Sequence, residues 1–366
     1  VLEGLRGSLH RGPTSRAARR IPDRTRQAAA AGHPPATSRT VLHRLPSRYR
    51  PMHPADPAST DDEQCVVDPR VLRLHRERAA PRYRETSAVA DEVARRMAER
   101  LDVVRLPDGD ILDLGCADGL WTSRLRERFA GRNVVGLDPS LALMRAGSPA
   151  VAARPWWLPW ACPPPSPARV CADLDALPFR PGSFAFVWSN LAAHWFARPR
   201  RTWRAIGITL RPGGLLMFST LGPDTLRELR RAWAAAGEGS PTMPFADMHN
   251  VGDALVHAGF SAPVMDMELL TLTYPDAGAL FADLRGQGAT DPRPGRFAGL
   301  RGRRWRAGRL QTLEGARHGE RLEITLEIVY GHAWWPEGGP TRTSDGRDVV
   351  RIHGLASGKR GLSRPR

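Results

Sequence analysis

The stretch ILDLGCADG, Ile111–Gly119, passes from apolar residues into an acid and then into glycine. A short buried strand stops at Asp113 and Leu114, and the chain must turn at once into the helix expected over LWTSRLRERFA. Gly115 and Gly119 relieve the steric cost of that turn. Working outward, SAVADEVARRMAERLDVV (Ser87–Val104) sets Val89, Val93, Met97 and Leu101 on one stripe, so a helix precedes the strand. NVVGLD then reads as a second buried strand ending at Asp138, ARVCADLDALPF as a third strand and loop, and SFAFVWSNLAAHW as a fourth. RTWRAIGITL is a helix and GGLLMFSTL a fifth strand. Strands that alternate with helices define a doubly wound, parallel α/β sheet.

Beyond Thr220 the pattern changes. DTLRELRRAWAAAG and DMHNVGDALVHAGF read as helices, PVMDMELLTLTY as a strand, AGALFADLRGQG as a helix and RLEITLEIVYGHAWWP as a long strand. Arg293–Arg309, dense in arginine and glycine, is expected to be a mobile surface segment. Val1–Arg50 carries only Glu3 and Asp23 as acids and has no sustained apolar period, so it reads as disordered chain or upstream reading frame. The expected organisation is an N-terminal extension over 1–67, a domain over 68–336 with a cofactor core at 105–222 and an acceptor or lid region at 223–336, and a polar tail over 337–366.

The net charge of +16 comes from a chain in which Lys359 is the only lysine. With 33 prolines and many alanines, that skew fits the coding bias of a GC-rich genome better than nucleic-acid binding, so no nucleic-acid partner is expected. No apolar run is long enough to span a membrane. Cys65, Cys116, Cys162 and Cys171 make neither a CxxC pair nor a zinc spacing; no metal is expected, and a reducing cytoplasm fits.

Ligands of doubly wound sheets bind at the carboxyl ends of the strands. A dinucleotide site would want GxGxxG, whereas this turn offers GCADG. Three acids lie at strand ends: Asp113 enters the turn, Asp138 closes the second strand and Asp173 follows the third. Asp138 is placed to accept from two ribose hydroxyls and Asp173 from an adenine amino group, while Asp113 is assigned either to the loop or to a ligand ammonium. A nucleoside with a cationic amino-acid tail and no phosphate, such as S-adenosyl-L-methionine, suits these acids better than a dinucleotide.

At these residues the chain resembles the class I SAM-dependent methyltransferases. ILDLGCADG, VVGLD, ADLDALPFRPGSFAFVWSNLAAHW and LRPGGLLMFSTLG fall in that family's order, with Ala117 in place of a glycine common in the loop and Arg154–Pro167, RPWWLPWACPPPSP, as an insert. Flanking motifs, GPDTLRELRRAW, FADMHNVGDALVHAGF, LFADLRGQGATD and YGHAWWP, resemble the malonyl-acyl-carrier-protein O-methyltransferases of biotin synthesis. So does DPRVLRLHRERAAPRYRETSAVADEVARRMAERLDVVRL upstream. The resemblance implies a Rossmann-like, mostly parallel seven-stranded sheet with a helical lid. It further implies methyl transfer to the free carboxylate of a malonyl group on the phosphopantetheine arm of an acidic carrier protein. Implied cofactor contacts are Asp113, Gly115, Cys116, Ala117, Gly119, Asp138, Asp173, Leu174, Ser189 and Asn190. Acceptor-side candidates are Tyr83 in the amino-terminal lid, His194 and Trp195 after the fourth strand, and Arg227, with Asp224 expected to cap its helix. Arg285, Arg301, Arg303, Arg304 and Arg306 are candidate docks for carboxylate or phosphate. No base is needed, because a carboxylate is already ionised near neutral pH.

Two rivals remain. Mitochondrial complex I assembly factors carry segments similar to GPDTLRELR and FADLRGQG, and a basic nucleic-acid binder with a vestigial cofactor fold would account for the charge.

Overall fold

The computed structural model describes residues 66–147, 168–294 apart from 236 and 238, 302–314 and 317–337. All of them fall within the unit Pro57–Arg366. The insert Arg154–Pro167, Arg301, and the expected extension and tail, apart from Val66, Val67 and Glu337, lie outside the described residues.

Three helices come first: α1 (Pro69–Ala79), α2 (Tyr83–Thr86) and α3 (Ala88–Arg100). Asp68 caps α1, its carboxylate accepting from the Arg70 and Val71 amides, and Pro69 opens the helix where no donor is needed. The sheet then begins with β1 (Ile111–Leu114), α4 (Leu120–Arg128), β2 (Val134–Asp138), α5 (Leu141–Ala146), β3 (Ala168–Cys171), β4 (Phe184–Ser189), α6 (Pro199–Thr209) and β5 (Leu210–Leu221). It is completed by α7 (Arg227–Ala235), α8 (Met248–Ala258), β6 (Ser261–Tyr274), α9 (Ala277–Gly286), α10 (Arg303–Glu314), the two-residue β7 (Arg317–His318) and β8 (Arg321–Trp334).

The strands lie in the order β3-β2-β1-β4-β5-β8-β6, with β7 paired onto β8. The first five are parallel, and β8 runs antiparallel between β5 and β6. The expected seven-stranded, mostly parallel sheet is therefore present, with β7 as a short addition. β1 and β4 are buried at every position because helices cover both faces. Alternation within β4 divides the core: Val187 packs with Trp203 and Ile206 of α6, while Phe186 and Trp188 pack with Met97 of α3 and Leu125 of α4. The carboxyl ends of β1, β2, β3 and β4 thus open at one edge, beneath α1 and α2.

Arg293–Arg309 is corrected in part. Its second half is helical in α10, where Leu313 is fully buried against the α7 side of the core. The arginine and glycine density hid an amphipathic turn whose apolar anchor lies after Arg309. Arg293 itself grips Asp291 through Nε and Nη2, at 2.7–2.9 Å.

Candidate functional site

The glycine turn is built as its sequence requires. Gly115 (φ 81°) and Gly119 (φ 79°) both adopt left-handed backbone, and so, less comfortably, does Ala117 (φ 50°). What crowds the turn is the chain itself. A Cβ on Gly115 would stand 2.4 Å from the Ala192 Cβ, and one on Gly119 would stand 2.6 Å from the Arg169 guanidinium. Leu137 accepts from the Gly115 and Cys116 amides, which fixes the loop against the end of β2. Cys116 is buried and Asp118, which the sequence reading passed over, is buried and ion-paired with Arg84 of α2.

Asp138 is the centre of this edge. It is fully buried and accepts from the Ala117 amide (2.9 Å, Oδ2), the Ser140 amide (2.8 Å, Oδ1) and the Arg76 guanidinium of α1 (2.7 Å, Oδ2). Arg76 was not singled out by the sequence, in which one arginine among many carries no mark. Asp113 is nearly as buried and accepts from the Thr122 hydroxyl at 2.6 Å, tying β1 to α4. Burial above all, with the nearby Asp138 and Asp118 charges, pushes its carboxyl up to about 7. Of the two roles expected for Asp113, the structure displays loop-holding.

Two cavities flank α1. One of about 240 Å³ is lined by Asp173, Leu174, Pro139 and Cys171 together with Leu72 and Arg73 of α1. Asp173 is exposed there and accepts from the Asp175 amide. The other, of about 310 Å³, lies beneath α2, α7 and α9; Tyr83, His194, Thr225 and Arg285 line it with many apolar side chains, and Arg76 reaches it. Trp195 walls both.

Tyr83 and His194 both line this larger cavity. Burial, and then the Arg76 cation, pushes His194 down to about 3, and its Nδ1 has no hydrogen-bond partner among the described residues. The imidazole is neutral at ordinary pH. Burial pushes the Tyr83 phenol up, so it keeps its proton.

Other candidates are placed elsewhere. The Ser189 hydroxyl donates to the Leu114 carbonyl, and Asn190 is engaged by the Ala90 carbonyl and the Ser219 hydroxyl, so both side chains brace the sheet and neither lines either of these two cavities. Arg227 is likewise absent from both cavity walls; its guanidinium is held by Asp224 at 3.1 Å and Glu228 at 3.2 Å. Arg227 opens α7, and both acids that hold it, Asp224 and Glu228, lie beside it in sequence. Asp224 does not cap a helix beginning at its own position: its amide donates to the buried Glu327, and its carboxylate pairs with Arg227. Arg285, by contrast, is exposed and borders the cavity, while Arg303 and Arg304 lie on α10.

Among the described residues no cluster of His, Cys, Asp or Glu is arranged to hold a metal, and no helix is long and apolar enough to cross a membrane.

Residues 112–218 match the family model described as a methyltransferase domain. The chain is 40% identical over 290 residues to the malonyl-[acyl-carrier protein] O-methyltransferase of Gallionella capsiferriformans, covering 79% of this chain and 97% of that one. It is 40% identical over 301 residues to the protein of the same name from Laribacter hongkongensis, covering 80% and 98%. Among solved structures, the YcgJ protein of Bacillus subtilis is similar at a TM-score of 0.46 and 13% identity, over 66% of this chain and 98% of that one. An extended match to near full-length relatives, carried on a sheet with its acids at the expected strand ends, means that this chain belongs to the malonyl-[acyl-carrier protein] O-methyltransferase family.

Proposed function

We propose that the protein transfers a methyl group from S-adenosyl-L-methionine to the free carboxylate of a malonyl thioester carried by acyl carrier protein. The observation that carries the reading is the second cavity: a largely apolar chamber beside the Asp138 edge, in which His194 is a neutral imidazole, Tyr83 and Tyr274 are phenols held protonated by burial, and the Asp291 carboxylate is gripped by Arg293, so that none of these groups is set to act as a base. Amine or hydroxyl acceptors call for a proton to be removed, whereas a carboxylate attacks as it stands.

The donor set suits the cofactor. Asp138 offers buried carboxylate oxygens to ribose hydroxyls; Asp173 and Leu174 offer an acceptor and an apolar wall to the adenine; the turn Gly115–Gly119, whose Ala117 amide donates to Asp138, lies beside them at the end of β1. When bound, S-adenosyl-L-methionine supplies an electrophilic methyl group. The protein's part is to align a carboxylate oxygen with it and keep water out, which Tyr83, Trp195 and the apolar walls do by enclosure. With a carboxylate as acceptor, transfer would break the S–CH3 bond as the O–CH3 bond formed and would leave no proton for His194 or Tyr83 to take up. Arg285 at the cavity's border suits the anionic phosphopantetheine arm or the carrier's acids.

Incubation with malonyl carrier protein and methyl-labelled cofactor tests the reading. Label is expected on the acyl group, released by mild base as a methyl ester should be; an unlabelled acyl group refutes it.

A further inference from the structure

Asp138 is short of lone pairs. A carboxylate has about four acceptor positions. Three are taken, by the Ala117 and Ser140 amides and by Arg76. A ribose presents two hydroxyls, and only one can be accommodated while Arg76 stays. The Ala117 and Ser140 amides are fixed by the backbone, so the movable donor is Arg76.

The same arginine faces the other way as well. Arg76 lines the 310 Å³ cavity, and its Nε has no partner among the described residues. Leu72 and Arg73, on the preceding turn of α1, line the 240 Å³ cavity, so Arg76 stands on the boundary between the two. Of the arginines bordering the larger cavity, Arg285 is exposed and Arg76 is buried. Asp291, the acid there, is occupied by Arg293. A buried guanidinium pulled from its carboxylate needs another anion, because an unpaired buried charge is strongly disfavoured.

We propose that Arg76 serves two anions in turn: it neutralises Asp138 in the empty protein, is displaced by the cofactor's ribose, and then receives the acceptor's carboxylate in the larger cavity. The inference rests on the methyl-transfer reading given above. Arg76 is on this view a specificity residue for an acidic acceptor, and it couples the two ligands so that cofactor binding prepares the acceptor site. Methylation turns the carboxylate into a neutral ester, which no longer holds the guanidinium, so Arg76 is free to return to Asp138 as product leaves.

Calorimetry on the full chain tests this with S-adenosylhomocysteine, malonyl carrier protein and the methyl-ester form of the same carrier. In the wild type, S-adenosylhomocysteine should tighten malonyl carrier protein binding by roughly tenfold, within the usual range of such couplings. Arg76→Gln should bind S-adenosylhomocysteine tighter, again by roughly tenfold, because nothing has to be displaced, and should bind malonyl carrier protein more weakly with the coupling gone. Its affinity for the methyl ester should be unchanged. Arg76→Lys, which keeps the charge, should retain part of the coupling and serves if the Gln variant does not fold. S-adenosylhomocysteine binding that is unchanged or weaker in Arg76→Gln overturns the proposal. Equal losses for acid and ester overturn it too, since they would mark a packing defect. If the wild-type protein binds S-adenosylhomocysteine but no form of the malonyl carrier, the functional reading itself fails, and with it the second role of Arg76; tighter cofactor binding in Arg76→Gln would still identify the first.

Discussion

Replacing Asp138 with Asn should unfold the protein far more readily than the loss of one hydrogen bond would imply. The carboxylate is fully buried and accepts three donors, two of them on Oδ2. An amide in either orientation fails. With its oxygen toward Ala117 and Arg76, its NH2 meets the Ser140 N–H; flipped, the NH2 meets both the Ala117 N–H and the guanidinium. In each case Arg76 remains buried without a counter-charge, and breaking a buried pair from one side costs about 3–5 kcal/mol. For a domain of this size each kcal/mol lowers the melting midpoint by about 2–4 °C, so a fall of about 6–20 °C is expected. Scanning calorimetry with a check of reversibility measures it. The decisive comparison is the double variant Asp138→Asn/Arg76→Met, in which the stranded cation is gone and which should melt above the single Asn variant. A single variant melting within about 2 °C of wild type, or a double variant that is no better, would refute the claim that Arg76 depends on Asp138.

The remaining predictions concern the same edge of the sheet. Gly115→Ala places a methyl group 2.4 Å from the Ala192 Cβ at φ 81°, so it should cost at least about 2 kcal/mol by urea denaturation; a neutral result would mean that the turn is not as tight as described. Asp113 has its carboxyl raised to about 7, so the folded chain binds its proton more tightly than the unfolded chain; that stabilisation is present at low pH and is lost as pH rises from about 4 to about 7. Asp113→Asn removes the dependence, so wild-type stability relative to this variant should decline between pH 5 and 7 in paired urea titrations, and parallel curves would contradict the assignment. His194, held down to about 3, has the opposite sign: its neutral burial costs stability progressively as pH falls below the ordinary imidazole range, and His194→Gln should soften the acid side of the stability profile. Because it stays neutral, the variant's pH–rate profile between about 5.5 and 8 should keep the wild-type shape, and loss of a limb there would expose His194 as a titrating catalyst.

The cofactor half of the protein was readable because its signals are local. β1 runs into its glycine turn within nine residues, and each strand-end acid sits beside the apolar run that identifies it. What stayed hidden depends on distant partners. The Arg76–Asp138 pair spans 62 residues of sequence, and nothing in HRERAA separates Arg76 from its arginine neighbours. The place of Ser189 and Asn190 at the end of β4 suggests a ligand contact, and nothing in the local sequence announces their partners, Leu114, Ala90 and Ser219, which come from three other elements. Arg227 carried an attractive charge on a helix face, but Glu228 and Asp224 beside it already hinted that the charge was spoken for. α10 escaped because its composition resembles a solvated loop and its fully buried anchor, Leu313, lies near its end.

The placement of β8 between β5 and β6 bears on how the protein is made. During synthesis, β5 and β6 leave the ribosome with facing edges open, and neither can zip until a segment about fifty residues beyond β6 has emerged to fill the gap. Until then the apolar rungs of β5, including Leu216 and Phe218, lack their final neighbour. Chains interrupted before Arg321 should therefore be captured by chaperones or precipitate, whereas a nick at the exposed Val103 should be tolerated.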